Sequence, residues 1–214
     1  MKNYKTFLTQ KNETWEDAIS RFQYFRKADM KDYFSNKEYS YHFADNKAYT
    51  YYQSDKVSAQ CISDFIAKYN VNIPQDLINL LCHHGPFRIG DSLLEIYDDI
   101  GIDTIVTLSQ VLSIYGYGDF INQISPGMLK SLNGFYFFFG VSFPHSKEPG
   151  FLYFNKAGNF GKMLFAPNNH ALVLQKILPS MFNGSIDKYT LDSLISTQID
   201  RVIINALAVR GYID

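Results

Sequence analysis

Apolar side chains recur at helical spacing at Trp15, Ala18, Ile19, Phe22 and Phe25, with Thr14 placed as an N-cap and acids in the first turn. Residues 14–27 therefore read as an amphipathic helix. The period then drops to two. Tyr39, Tyr41 and Phe43 alternate with polar or small residues, and Tyr49 and Tyr51 repeat the pattern beyond Asp45-Asn46-Lys47, which predicts an aromatic-faced hairpin. Tyr52 lies off the Tyr49–Tyr51 face and is expected to stay exposed.

Helical spacing returns at Val57, Cys61, Ile62, Phe65, Ile66 and Tyr69. The next run, IPQDLINLLCHHGPF over residues 73–87, carries Pro74 at a helix start, Asp76 at the positive end of the dipole, and Leu77, Leu80, Leu81 and His84 on one face. Gly85-Pro86 stops it. Residues 87–89 and 93–97 read as short strands around the turn Gly90-Asp91-Ser92. Residues 108–132 read as broken helix, interrupted at Gly116, Gly118 and Ser125-Pro126-Gly127. The aromatic runs at 135–143 and 150–169 predict two or three strands, and residues 171–182 and 191–209 predict two closing helices.

This succession is that of an α+β domain. At 214 residues the chain buries roughly 70% of its unfolded surface and needs neither metal nor disulfide to fold. Cys61 and Cys82 fall on helical stretches and read as reduced, packed thiols. The first ten residues hold two lysines with no apolar stretch behind them. The expectation is a cytoplasmic chain with no secretory signal and no membrane association. The seam near residues 53–57 divides an N-terminal helix and Tyr-rich hairpin (1–56), packed on the remainder, from a core with C-terminal helices (57–214).

Net charge is -1, without the basic footprint of a nucleic-acid binder. Its distribution is uneven. Residues 61–120 hold 2 basic and 8 acidic side chains, against 10 and 8 before them and 8 and 5 after. Asp91, Glu95, Asp98, Asp99 and Asp103 concentrate this charge without the ligand pattern of a calcium loop. A solvated acidic loop is the plain reading, and a docking patch for a basic protein is the functional one. With Tyr52 as an aromatic contact, these five form the candidate partner-binding set.

Cys82-His83-His84 invites a metal or thiol reading, but neighbours on a helix point about 100° apart and cannot converge on one ion. His84 is read as a core histidine. Gly116-Tyr117-Gly118 lacks the rest of a dinucleotide fingerprint, and His145 and Glu148 lack the partner cysteines of a zinc deaminase. No Walker A sequence or Gly-x-Ser-x-Gly elbow occurs, so no catalytic residue, cofactor or metal is assigned.

The order of elements resembles the SUKH (Smi/Knr-like) superfamily, which includes fungal cell-wall-synthesis regulators and bacterial immunity proteins of polymorphic toxin systems. Three segments carry the likeness: Ile73-Pro74 before Leu77, Leu80, Leu81 and Gly85; the strands at 135–143 and 150–155; and the strand with polar exit at 160–169. Residues 57–182 are covered. Ser146-Lys147-Glu148-Pro149 replaces the acidic turn often found between the family's paired strands. The resemblance implies a mixed, mainly antiparallel sheet flanked by helices, no catalysis, and binding of a cognate toxin, commonly a nuclease; the acidic stretch makes a basic toxin the expected partner. A regulatory scaffold is the alternative, an enzyme with a site assembled across the fold comes after it, and self-association to a homodimer through a sheet edge stays open.

Overall fold

The computed structural model describes residues 4–35, 50–90, 93–97, 104–144, 146–186 and 188–209. A 3-10 turn (Tyr4–Phe7) precedes helix α1 (Trp15–Ser35), which runs about two turns beyond residue 27, where the apolar pattern ends. Its start is fixed by a reciprocal cap. The Thr14 hydroxyl accepts the Asp17 amide at 3.1 Å, and the Asp17 carboxylate accepts the Thr14 amide and hydroxyl in return. Those donors hold the Asp17 carboxyl below its ordinary range.

Helix α2 (Ala59–Tyr69) is capped by the Ser58 hydroxyl and closed by Asn70 in the left-handed region. Helix α3 (Gln75–Ile78) widens into a π turn (Asn79–His84) where the sequence pattern predicts an ordinary helix. Two bonds show how the widening is satisfied. The Gly85 amide reaches back five residues to the Leu80 carbonyl at 2.8 Å, and the Leu81 carbonyl is taken by the Val57 amide at 2.9 Å. Gly85 is required here: its φ is +104°, and a Cβ would lie 2.7 Å from the Ser54 carbonyl oxygen.

The sheet holds seven strands among the described residues: β1 (Tyr51–Gln53), β2 (Phe87–Ile89), β3 (Leu94–Ile96), β4 (Val106–Thr107), β5 (Tyr136–Ser142), β6 (Gly150–Asn155) and β7 (Phe160–Leu164). Their order is β1-β2-β3-β5-β6-β7, with β4 also on β5, and every pairing is antiparallel. The α+β class expected from the sequence is the one found. The parallel component that a mixed sheet would need does not occur among the described residues. Of the expected hairpin, β1 joins the sheet edge beside β2, while its first arm and turn lie outside the described residues.

Strands β3 and β4 share one edge of β5, opposite residues 140–142 and 137–138 respectively. The register shifts between Phe138 and Gly140, and the Phe139 carbonyl accepts the Tyr97 amide at 3.0 Å. This bulge changes the parity of the strand. Phe137 and Phe139 enter one core and Tyr136, Phe138 and then Val141 enter the other.

The first core lies under α1, α2, α3 and α9 (Leu191–Val209), with Trp15, Phe22, Phe65, Leu77 and Ile199 among its members. The second lies under α4 (Leu108–Ile114), α5 (Gly118–Ile121), α6 (Pro126–Asn133), α7 (His170–Leu172) and α8 (Leu178–Phe182), the last two joined by a π turn (Val173–Ile177). Burial on both faces explains why β5 and β6 read as unbroken apolar runs, and each fully buried Phe contributes about 2 kcal/mol. Gly118 begins α5 and Pro126 occupies the first turn of α6, so two residues read as breaks are helix starts.

The N-terminal segment is tied to α9 by charge as well as packing. Arg21, nearly buried, bonds Glu13 at 2.6 Å, Asp200 at 2.9 Å and the Phe7 carbonyl at 2.5 Å. Asp192 accepts the Trp15 amide at 2.8 Å, and Asp200 accepts the Thr9 amide at 3.0 Å.

Candidate protein-binding face

Pairing register places Tyr52 opposite Arg88, Arg88 opposite Glu95, Glu95 opposite Val141, Val141 opposite Phe151 and Phe151 opposite Met163. Directly opposed residues project to the same face, so these six form one row across the sheet. Its character changes midway. Val141, Phe151 and Met163 belong to the second core, whereas no side chain of β1, β2 or β3 does. Among the described residues the helices of that layer cover β5–β7, and Tyr52, Arg88 and Glu95 continue the row at the β1–β3 end.

Tyr52 is 58% exposed, as its position off the Tyr51 face requires, while Tyr51 packs against Phe87 with ring centroids 6.3 Å apart. Arg88 Nε lies 3.2 Å from a Glu95 oxygen, and the Glu95 side chain keeps only 15% of its surface. Glu95 is therefore a covered, ion-paired carboxylate and not the solvated patch member that the sequence suggests. The cause is its position on β3, where the cross-strand arginine draws the carboxylate onto the sheet. Asp91, Asp98, Asp99 and Asp103 lie outside the described residues.

Where the row meets the second core, two phenols close it. Tyr97 is fully buried and Tyr115 half-buried, with ring centroids 6.5 Å apart. Burial, first, and then the Glu95 charge raise the Tyr115 phenol. Burial, followed by the Tyr115 phenol and then Glu95, raises Tyr97 well above its ordinary value. The Tyr97 hydroxyl is buried without a hydrogen-bond partner among the described residues. Both phenols stay protonated at physiological pH. They form a wall, not a proton relay.

Other candidates resolve as structure. His84 Nε2 is 3.3 Å from the Tyr51 hydroxyl and Nδ1 is 2.7 Å from the Gly85 carbonyl, while its ring meets Trp15 and Phe87 edge-on. Both ring nitrogens are thus engaged. His83 is exposed, Cys82 half-buried, and both cysteines carry free thiols. No group of three or more His, Cys, Asp or Glu side chains among the described residues is arranged to hold a metal ion. Glu148 is exposed in the β5–β6 loop, and His145 lies outside the described residues.

A polar cleft of about 410 Å³ lies between the N-terminal loop and the start of α9, lined by Thr9, Glu13, Thr190, Asp192, Ser193 and Ser196 among others. Its acids are committed to Arg21 and the Trp15 amide, and no histidine or lysine adjoins its hydroxyls. Among the described residues its lining holds no nucleophile–base pair. No helix among the described residues is long and apolar enough to cross a membrane.

Neither a protein-family model, nor a curated protein, nor a solved structure matches this chain.

Proposed function

We propose that this chain is a protein-binding module of SUKH type that neutralises a cognate basic toxin, docking through the β1–β3 end of its sheet, where Tyr52 is exposed. The observation that carries the reading is Tyr52, an exposed aromatic beside the Arg88–Glu95 pair where the second helical layer stops. A rigid aromatic flanked by charged groups is the composition of an interface anchor. The sequence adds Asp91, Asp98, Asp99 and Asp103 on either side of β3, a charge that favours a basic partner and accelerates encounter. Binding in a complex, without chemistry of its own, is the mode of action.

The test is co-expression of the full chain with the product of the adjacent gene, read as growth rescue and as a stoichiometric complex. Tyr52→Ala should weaken that complex by about tenfold or more, and Asp98→Lys/Asp99→Lys/Asp103→Lys should slow association and flatten its salt dependence. Absence of both complex and rescue would overturn neutralisation. A complex with a cellular protein that is not toxic alone would favour the regulatory scaffold, and an intact complex in both variants would move the interface elsewhere.

A further inference from the structure

On the opposite face of the sheet, at its β6–β7 end, two cations converge without a carboxylate between them. Lys162 Nζ lies 3.3 Å and Arg201 Nη1 3.4 Å from the same atom, the side-chain oxygen of Gln198. Gln198 is fully buried, and its amide nitrogen donates to the Leu194 carbonyl one turn back on α9, which turns the oxygen toward the cations. The two charged nitrogens are therefore less than about 7 Å apart. Among the described residues neither makes an ion pair. Asp200, adjacent to Arg201 in sequence, is engaged by Arg21 and Thr9.

The surroundings are shaped to hold this arrangement. Gly150 of β6 lets the Lys162 stem cross it: a Cβ there would lie 2.8 Å from Lys162 Cδ and 2.7 Å from the Ser142 hydroxyl oxygen. The Arg201 guanidinium lies over the Phe143 ring, 4.7 Å from its centroid. Phe143 has φ +51°, a left-handed conformation unusual for a bulky side chain and one that costs about 1–2 kcal/mol. Its amide is bonded to the Leu93 carbonyl at 2.7 Å, which holds the strained residue in place. Strain, a glycine cradle and a buried amide all serve to bring two like charges together, an arrangement that raises the energy of the unliganded protein.

We propose that Lys162 and Arg201, bridged by Gln198 and floored by Phe143, form a binding site for a dianionic oxyanion of phosphate type. Two cations facing one neutral acceptor match two negative charges, and both side chains keep partial access to solvent. Arginine supplies a planar fork for two oxygens, lysine a compact point charge, and the Ser142 hydroxyl stands beside the lysine stem. Burial, first, and then the Arg201 charge lower Lys162 to about 8. The site is independent of the Tyr52 face and does not rest on toxin binding.

The full chain carrying 13C-labelled lysine is titrated with pH by NMR, in chloride buffer and then with inorganic phosphate at matched ionic strength. Phosphate should raise the Lys162 titration midpoint by at least about one unit, because a bound dianion stabilises the ammonium form. Acetate, a monoanion, should raise it less. Arg201→Met, checked for folding by circular dichroism, should abolish most of the phosphate-induced rise while itself moving the midpoint upward. An unchanged midpoint in phosphate, an equal rise in acetate, or a full response retained in Arg201→Met would each overturn the proposal. Wild-type protein alone decides the first two outcomes, so a folding failure of the variant does not protect the idea.

Discussion

Replacing Lys162 by Met should stabilise the protein, because the folded state lowers this lysine from 10.5 to about 8. A depressed lysine sheds its proton first in the folded chain, so between those values the unfolded chain binds more protons and stability rises with pH. Below the folded value both states are charged and the fold carries the whole penalty. For a fully shielded ammonium that penalty would be about 3 kcal/mol, but Lys162 is only partly covered and solvent screening reduces it to about 1.5 kcal/mol. Methionine keeps most of the stem across Gly150 and loses the 3.3 Å contact with Gln198, worth about 0.5 kcal/mol at that length. The net expectation is a gain of about 1 kcal/mol at pH 7 in phosphate-free, low-salt buffer. Urea unfolding of wild type and variant at pH 7 and 9.5 measures it, and the difference should narrow by about half or more at the higher pH. A variant less stable at pH 7, or a difference flat with pH, refutes the reasoning. Phosphate should close the gap from the other side by stabilising the wild type alone.

Arg21→Met should cost about 3 kcal/mol in urea unfolding, since it leaves Glu13, 3% exposed, without its counter-charge and unties the Phe7 carbonyl; a loss under about 1 kcal/mol would show that water replaces the arginine. Gly140→Ala should cost about 1–3 kcal/mol, because its Cβ would lie 2.6 Å from the Glu95 carbonyl oxygen where β3 meets the bulged strand; an unchanged melting temperature would mean that the bulge relaxes freely. Asn70→Gly should stabilise by about 0.5 kcal/mol and Asn70→Ala destabilise by about 1 kcal/mol, since Asn70 closes α2 at φ +47°. Equal stability of the two variants would remove the left-handed cap from the explanation.

The β5–β6–β7 strands and the α2, α3 and α9 helices could be read from the chain because their signals are local. Residues 191–209 carry a 3.6-residue period, and β6 and β7 carry aromatic runs bounded by turn residues at 144–149 and 157–159. Tyr52 was legible for the same reason, as the odd member of an alternating stripe. Strand β4 was not legible. Two residues, Val106 and Thr107, have no period, and they form a strand only because β5 offers them an edge that β3 leaves vacant.

What the sequence determined by itself was the alternation of apolar and polar positions, the cap at Thr14, the stop at Gly85, and hence the α+β class. Each is set by backbone and side-chain geometry within a few residues. Tertiary structure decided which carboxylate is solvated and which cation is alone. Glu95 sits in an acidic stretch yet is quenched by Arg88 across the strand pair, and Lys162 and Arg201, 39 positions apart in sequence, meet at Gln198. Electrostatic character depends on distances between residues that only folding brings together, and on the dielectric that burial imposes on them.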